Sequence, residues 1–580
     1  MGSEESTTKK SSSLCLVCRQ VGHIVHSCPY FLQGSRQDKH SGLKLPTALE
    51  TARTVAAFDN PHSLDTTSIP QSLCKRCKSL DVLHAFTRSV PFTLDDKSPG
   101  HSDRAKKKVL RMHSFGPVST LELLDTCPLC RLIFDITYLT EEDILDVTSP
   151  LRNPTEGQLL LVPAWTLNRI ERELRWPGYA KGKGPFARCL YTAVKPASDD
   201  WSWGLSLVDW AMDAVALVEP RGSGTTTMGV KEVNSQSVNY DMLGGWLRRC
   251  DKLHHRTCRP AWSEALRNIK LVDVATRTIV NYPAQHRDYI ALSYVWGPVV
   301  QPSYSVGDVL PDLPTTIEDA MVVTLKLEKR YLWVDSLCIN QSDTEEKLLQ
   351  IGYMSAIYGG AWATIIAMSG TAADSGLPRV RTSVGVIPQL SLELGGKKLV
   401  SVMPTLSRQV SLSPWVKRAW TFQEGMLSPR RLFFTNHQVY FECNSSQSCE
   451  SLDDSGSPFH SLSDEQRQTF LDKLPESGLS LENVLGRGGD DQAQGDAAIL
   501  KYMKLVYTYT SKKVTNDGDS VHAFSAVLTR LQETTYKQDF LYGLPLEELP
   551  RALLWTHITE VPRRRAEFPA WSWAGWEGWV

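Results

Sequence analysis

YIALSYVWG, residues 289–297, and YLWVDSLCINQ, residues 331–341, are apolar runs that end in polar and aromatic residues, and their reading decides the fold. β-Branched and aromatic residues fill both runs without alternation, as strands buried on two faces require. WATIIAM (362–368) and RLFF (431–434) repeat the pattern. Between the first two runs, LPTTIEDAMVVTLKLEKR has Thr315 and Glu318 at capping-box spacing and Ile317, Ala320, Met321 and Leu325 on one helical face. SDTEEKLLQIGYMSAIYGG follows the second run. Ser342 and Glu345 repeat the capping spacing there, Leu348, Ile351, Met354 and Tyr358 share a side, and Gly359 and Gly360 are stop signals. Strand and helix in alternation predict an α/β domain with a parallel sheet and right-handed crossovers.

In such sheets ligands bind beyond the carboxyl ends of the strands. The residues at those ends are Ser293, Tyr294, Trp296 and Gly297 after the first strand, and Asp335, Asn340 and Gln341 after the second. WVKRAWTFQEGML (415–427) reads as a helix entering the fourth strand and carries Arg418, Trp420, Gln423 and Glu424. These groups suit one cleft; on spacing alone they equally suit core tryptophans and helix caps.

Outside this block the chain is segmented. Its 580 residues leave room for about three or four domains. With 42% apolar and 22% charged residues it is too rich in core formers to be wholly disordered. Lys plus Arg number 63 and Asp plus Glu 64, so the net charge of -1 excludes global attraction to nucleic acid or anionic lipid. No apolar run approaches a membrane span, since Asp209 and Asp213 cut the stretch from Leu205 to Val218. The start, MGSEESTTKKSSS, lacks the apolar stretch of a secretory signal, which points to an intracellular, cytoplasmic protein with reduced cysteines. Neither GxGxxG nor GxxxxGK[ST] occurs, which argues against a dehydrogenase or P-loop nucleotide site.

Cys15, Cys18, His23 and Cys28 stand as CxxCxxxGHxxxxC, the spacing of a zinc knuckle. Three thiolates and an imidazole complete a closed tetrahedral shell, so this zinc is expected to be structural. Lys9, Lys10, Arg19 and Tyr30 offer modest charge and one stacking face, leaving single-stranded nucleic acid and protein equally open as partners. Cys74, Cys77, Cys127 and Cys130 make two CxxC pairs, candidates for a second structural zinc, with His84 and His113 as spare ligands. Buried thiols are the alternative. Cys338 reads as a buried thiol, and Cys443 and Cys449 show no metal spacing.

SYVWG, WVDSLCINQ, QIGYMSAIYGGA and RAWTFQE, in that order, resemble the heterokaryon-incompatibility (HET) domain of filamentous fungi. CPLCRLIF (127–134) and FPAWSWAGWEGWV (568–580) look like regions that flank such domains. The resemblance implies a role in cell death when genetically unlike hyphae fuse. HET domains are distantly similar to TIR domains, several of which cleave NAD+. That likeness implies a flavodoxin-like core with helices on both faces, beside a zinc-bound N-terminal module and mixed α+β flanks.

Trp420 and Glu424 match the WxxxE-like pattern of the TIR catalytic helix. The likeness makes Glu424 the catalytic residue for NAD+ as substrate, with Ser293, Tyr294, Trp296, Asp335, Asn340, Gln341, Arg418 and Trp420 lining the pocket. It also implies self-association and an incompatibility or receptor partner. A non-enzymatic interaction module and a knuckle-driven nucleic-acid regulator remain open beside it. The expected layout is a disordered tail (1–13), the knuckle (14–31), a linker (32–72), a Cys-containing flank (73–285), the HET domain (286–443), a loop (444–497) and a C-terminal region (498–580). Within the flank, TLNRIERELRW suggests helix and WSWGLSLVDW burial.

Overall fold

The computed structural model describes residues 73–80, 82–85, 113–117, 127–130, 132–133, 158–164, 189–195, 214–218, 229–453 apart from 284, 286–287, 300–301, 384 and 405, and 494–580 apart from 559–562. The tail, the knuckle with Cys15, Cys18, His23 and Cys28, the linker, TLNRIERELRW and WSWGLSLVDW lie outside the described residues. The chain divides into two compact units, Met1–Leu217 with Leu390–Val402, and Val218–Gln389 with Met403–Val580.

The first unit holds a six-stranded sheet. Its order is His113–Pro117, Gln158–Ala164, Cys189–Lys195, Ala214–Leu217, Lys397–Ser401 and Ser391–Leu394, with every neighbouring pair antiparallel. Cys77, Val82, Cys127, Leu129, Cys130, Leu132 and Ile133 form one core cluster with Val215 and Leu399.

The second unit is built on eight strands. They are Lys270–Asp273 (β1), Thr278–Asn281 (β2), Tyr289–Ser293 (β3), Tyr331–Trp333 (β4), Ala363–Ala367 (β5), Arg430–Phe434 (β6), Val439–Cys443 (β7) and Ser446–Cys449 (β8). Their order across the sheet is β8-β7-β6-β5-β3-β4-β1-β2. β3 runs parallel to β4 and β5, and β5 parallel to β6. The four expected strands thus form a parallel core whose order is 2-1-3-4 in chain sequence. Antiparallel strands flank it on both sides, so the sheet as a whole is mixed rather than parallel. Every residue of β3 and β5 is buried, which explains their unbroken apolar sequence.

The helices are Tyr240–Leu253 (α1), Thr315–Lys326 (α2), Thr344–Gly352 (α3), Met354–Gly360 (α4), Trp420–Leu427 (α5), Gln494–Thr510 (α6) and Asp519–Thr534 (α7). Several expectations change in detail. The run at 331–337 stops as a strand at Trp333, and Asp335–Cys338 turns into a short helix. Asp335 causes the switch locally: its carboxylate accepts the neighbouring Ser336 N–H at 2.7 Å, a side-chain bond that competes with the strand ladder. Neither capping box forms. Asp343, not Ser342, caps α3 by accepting from Glu345 and Glu346. Pro314 occupies the cap of α2, while Glu318 accepts the Leu313 N–H and pairs with Arg277. The single helix expected at 342–360 breaks at Tyr353 into α3 and α4. Leu325 and Leu348, placed on buried faces by spacing, are 49% and 50% exposed.

A C-terminal layer buttresses α5. α7 packs on α5, and Ala419, Phe422 and Met426 share a core with Tyr502, Tyr509, Phe524 and Trp573. Trp573, from the tail motif, donates its indole N–H to the Tyr502 hydroxyl at 2.9 Å. The tail therefore helps to position the helix that carries Glu424.

Candidate functional site

The carboxyl end of β3 is the centre of a polar cluster. Ser293, the last residue of the strand and 1% exposed, donates its hydroxyl to Glu424 on α5. Trp415 donates its indole N–H to the same hydroxyl at 2.7 Å, so indole, hydroxyl and carboxylate form one directed chain. Tyr358 of α4 stands beside this chain and donates its hydroxyl to the Leu292 carbonyl at 3.4 Å. α5 can bring its carboxylate this close because Gln423, one residue earlier, turns outward and accepts the Ala526 N–H of α7 at 3.2 Å.

Around this centre stand three half-buried residues, Trp296, Asp335 and Arg418, and two buried ones, Tyr294 and Ser336. Trp296 donates to Asp335 at 2.9 Å, Tyr294 and Ser336 share a hydroxyl bond of 2.8 Å, and Arg418 donates to the Tyr294 carbonyl at 2.9 Å. Gly297, which closes the SYVWG turn, has φ +65°, and a Cβ there would lie 2.5 Å from the Ala372 side chain. Only glycine fits both constraints. The Trp296 carbonyl is held in turn by the Ala373 N–H at 3.0 Å.

The electrostatics follow from burial. Removal from water pushes Glu424 up to about 7, and the negative charge of Asp335 adds to the rise. The hydrogen bond from Ser293, the positive charge of Arg418 and the nearby Tyr358 hydroxyl hold it back. Desolvation likewise lifts Asp335 to about 6, against the Ser336 N–H, Arg418 and the Trp296 indole. Two carboxyl groups thus share one arginine in a low-dielectric setting and titrate as a pair near neutral pH.

Six of the nine candidates from the sequence, Ser293, Tyr294, Trp296, Asp335, Arg418 and Glu424, meet here. Gln341 reaches the edge, donating to the Asp335 carbonyl at 3.3 Å. Asn340 instead accepts the Ser342 N–H at 3.1 Å. Trp420 turns to the C-terminal layer and donates to Asp519 at 3.4 Å. Trp415, Ser336 and Tyr358 were not singled out. Trp415 looked like core, Ser336 like part of a strand, and Tyr358 like the apolar face of a helix.

In the first unit, Cys74, Cys77, Cys127 and Cys130 converge, with all four sulfurs within 4.8 Å of one another. Cys77 and Cys130 sulfurs are 3.5 Å apart and those of Cys74 and Cys130 3.8 Å. The edge of a tetrahedral zinc–thiolate shell is about 3.8 Å, so this donor set can hold a metal ion. The side chains of His84 and His113 lie outside the described residues.

A mixed α/β domain with a buried carboxylate centre at its strand ends is the class these features define. Residues 289–424 match the family model described as heterokaryon incompatibility protein (HET). The chain is similar to heterokaryon incompatibility protein 6, OR allele, of Neurospora crassa, with 27% identity over 199 residues, covering 26% of this chain and 29% of that protein. The chain thus spans less than a third of that relative's length. No solved structure matches it. Among the described residues no helix is long and apolar enough to cross a membrane.

Proposed function

We propose that this protein is an incompatibility effector that promotes cell death on non-self recognition, and that its HET domain does so by cleaving NAD+. The observation that carries the reading is the buried Glu424 at the carboxyl end of β3, flanked by Asp335, Arg418 and Trp296. Hydrolysis breaks the bond between the nicotinamide nitrogen and ribose C1′; water adds at C1′, neutral nicotinamide leaves and a proton is released. Nicotinamide departs without needing an acid, so one carboxylate facing the developing oxocarbenium charge is sufficient. Glu424 has that role when ionised. Trp296 offers a flat face to a ring, Arg418 a charge for the pyrophosphate, and Asp335 a second acceptor for ribose hydroxyls. Zinc in the Cys74, Cys77, Cys127 and Cys130 set is a closed structural centre in the first unit.

A second reading has its own support. Glu424 is only 6% exposed and already receives the Ser293 hydroxyl, the arrangement of a carboxyl group that holds α5 against β3. The domain would then be an interaction module. Nicotinamide release from NAD+ by the purified, concentrated chain separates the two. Release by the wild type that Glu424→Gln lacks supports the enzyme. No release from the wild type, even when it is forced to self-associate, overturns it in favour of the module.

A further inference from the structure

A second cluster of metal-ligating side chains lies in the other unit, far from any CxxC spacing. Cys250 near the end of α1, His254 at the break that follows, Cys258 at the end of the short helix His255–Cys258, and Cys443 at the end of β7 bring their ligand atoms within 4.8 Å of one another. All four are buried, between 0% and 2% exposed. Cys250, His254 and Cys258 are four residues apart in series, which puts them on one helical face, and the fourth ligand arrives from the sheet 185 residues after Cys258. Nδ1 of His254 stands 3.4 Å from the Cys443 sulfur.

We infer that these four residues form a closed zinc site that fastens α1 to the edge of the sheet. Three sulfurs and one imidazole nitrogen are a complete tetrahedral donor set, with no position left for water, so the ion is structural. The surroundings are those of bound thiolates. Arg430 donates from Nε to the Cys250 sulfur at 3.3 Å, Ser445 donates its backbone N–H to Cys443 at 3.5 Å, and the hydroxyls of Ser446 and Thr257 lie 3.3 and 3.4 Å from Cys443 and Cys258. Such outer-shell bonds orient metal ligands. Arg430, 1% exposed, is shared: its guanidinium pairs with Asp251 and donates to the Trp362 carbonyl at 3.0 Å, and its Nε is left for the Cys250 sulfur, where a positive charge suits a site that carries one net negative charge with a divalent ion, three thiolates and a neutral imidazole. Through Arg430 the site also reaches β6, the strand that follows α5 and Glu424.

The test is the metal content of the folded full-length chain together with the spectrum of its cobalt form. Cys258→Ser should lose about one zinc per chain relative to wild type, while Cys74→Ser/Cys77→Ser loses a different one. His254→Cys should keep the ion, because sulfur replaces nitrogen in a tetrahedral shell, but should shift the visible ligand-field bands of cobalt. A folded Cys258→Ser chain with the full zinc complement would overturn the inference, and so would identical cobalt spectra for wild type and His254→Cys. If Cys258→Ser does not fold, the His254→Cys spectrum decides. A disulfide among Cys250, Cys258 and Cys443, seen as two missing thiols on titration of the unfolded chain, would equally overturn it.

Discussion

Two parts of the same sheet bury acidic side chains in opposite ways. Beside the antiparallel edge, Glu442 and Glu450 each face their own arginine. Arg431 donates to Glu442 at 3.0 Å, Arg379 pairs with Glu450, and both guanidinium groups are 0% exposed. Further donors complete the shells: Gln447 to Glu442 at 2.7 Å, and the Val439 N–H to Glu450 at 2.6 Å. At the carboxyl end of β3, Glu424 and Asp335 have hydroxyl, indole and N–H donors but only one nearby arginine, Arg418. The edge acids are matched one to one, as a buried charge needs for stability alone. The strand-end pair is left short of positive charge, which is how proteins hold carboxyl groups near neutral pH for proton or charge chemistry.

Breaking the edge should show the larger effect. Arg379→Met leaves Glu450 buried without its counter-charge, and about 3–5 kcal/mol of stability should disappear, read as a lower urea midpoint. An unchanged midpoint would mean that the edge pair is not what holds the strands there. At the other end, Glu424→Gln should cut NAD+ cleavage by about 100-fold or more while the fold is kept, the usual cost of removing one electrostatic partner of a transition state. On the proposed mechanism the ionised carboxylate is the active form, so wild-type cleavage should rise with pH across about 7. A profile that is flat there would detach Glu424 from the rate.

The same substitution sharpens the contrast through stability. Burial lifts Glu424 from 4.5 to about 7, so between those values the folded chain binds more protons than the unfolded one and wild-type stability falls as pH rises. Glutamine does not titrate. Glu424→Gln should therefore gain on the wild type from pH 5 to pH 8 by at most about 3 kcal/mol, measured as a widening gap between melting temperatures. A gap that narrows instead would mean that the carboxylate is stabilised rather than strained by its site. Smallest of all, Ser293→Ala removes one donor from Glu424 and the acceptor of Trp415, at a cost of about 1–2 kcal/mol. It should also move the midpoint of the cleavage profile upward, since Ser293 holds the carboxyl group down.

Much of the strand-end site was legible because each of its residues sits beside a strong local signal. Ser293, Tyr294 and Trp296 close an apolar run, Asp335 opens a turn directly after another, and Arg418 and Glu424 flank a helix start. Trp415, Tyr358 and Ser336 were not legible, because nothing local separates a tryptophan that donates to a buried strand-end hydroxyl from one that fills a core. Trp420 failed in the reverse direction. Its spacing to Glu424 is right, yet the C-terminal helices, invisible from that motif, offer its indole Asp519. The capping boxes failed because Asp343, one residue after Ser342, caps α3 itself, and because α2 starts at Thr315 with Pro314, which has no side-chain acceptor, in the cap position.

By itself the sequence determined the four parallel strands, the helices between them and which polar residues stand at their ends, since burial on two faces leaves an unbroken apolar run and polar residues can gather only where that run stops. The tertiary structure alone decided which acids share an arginine, that antiparallel strands flank the parallel core, and that Cys250, His254 and Cys258 meet Cys443. Those outcomes depend on contacts between residues as many as 193 positions apart, and over such separations no periodicity in the chain records which side chains the fold will bring together.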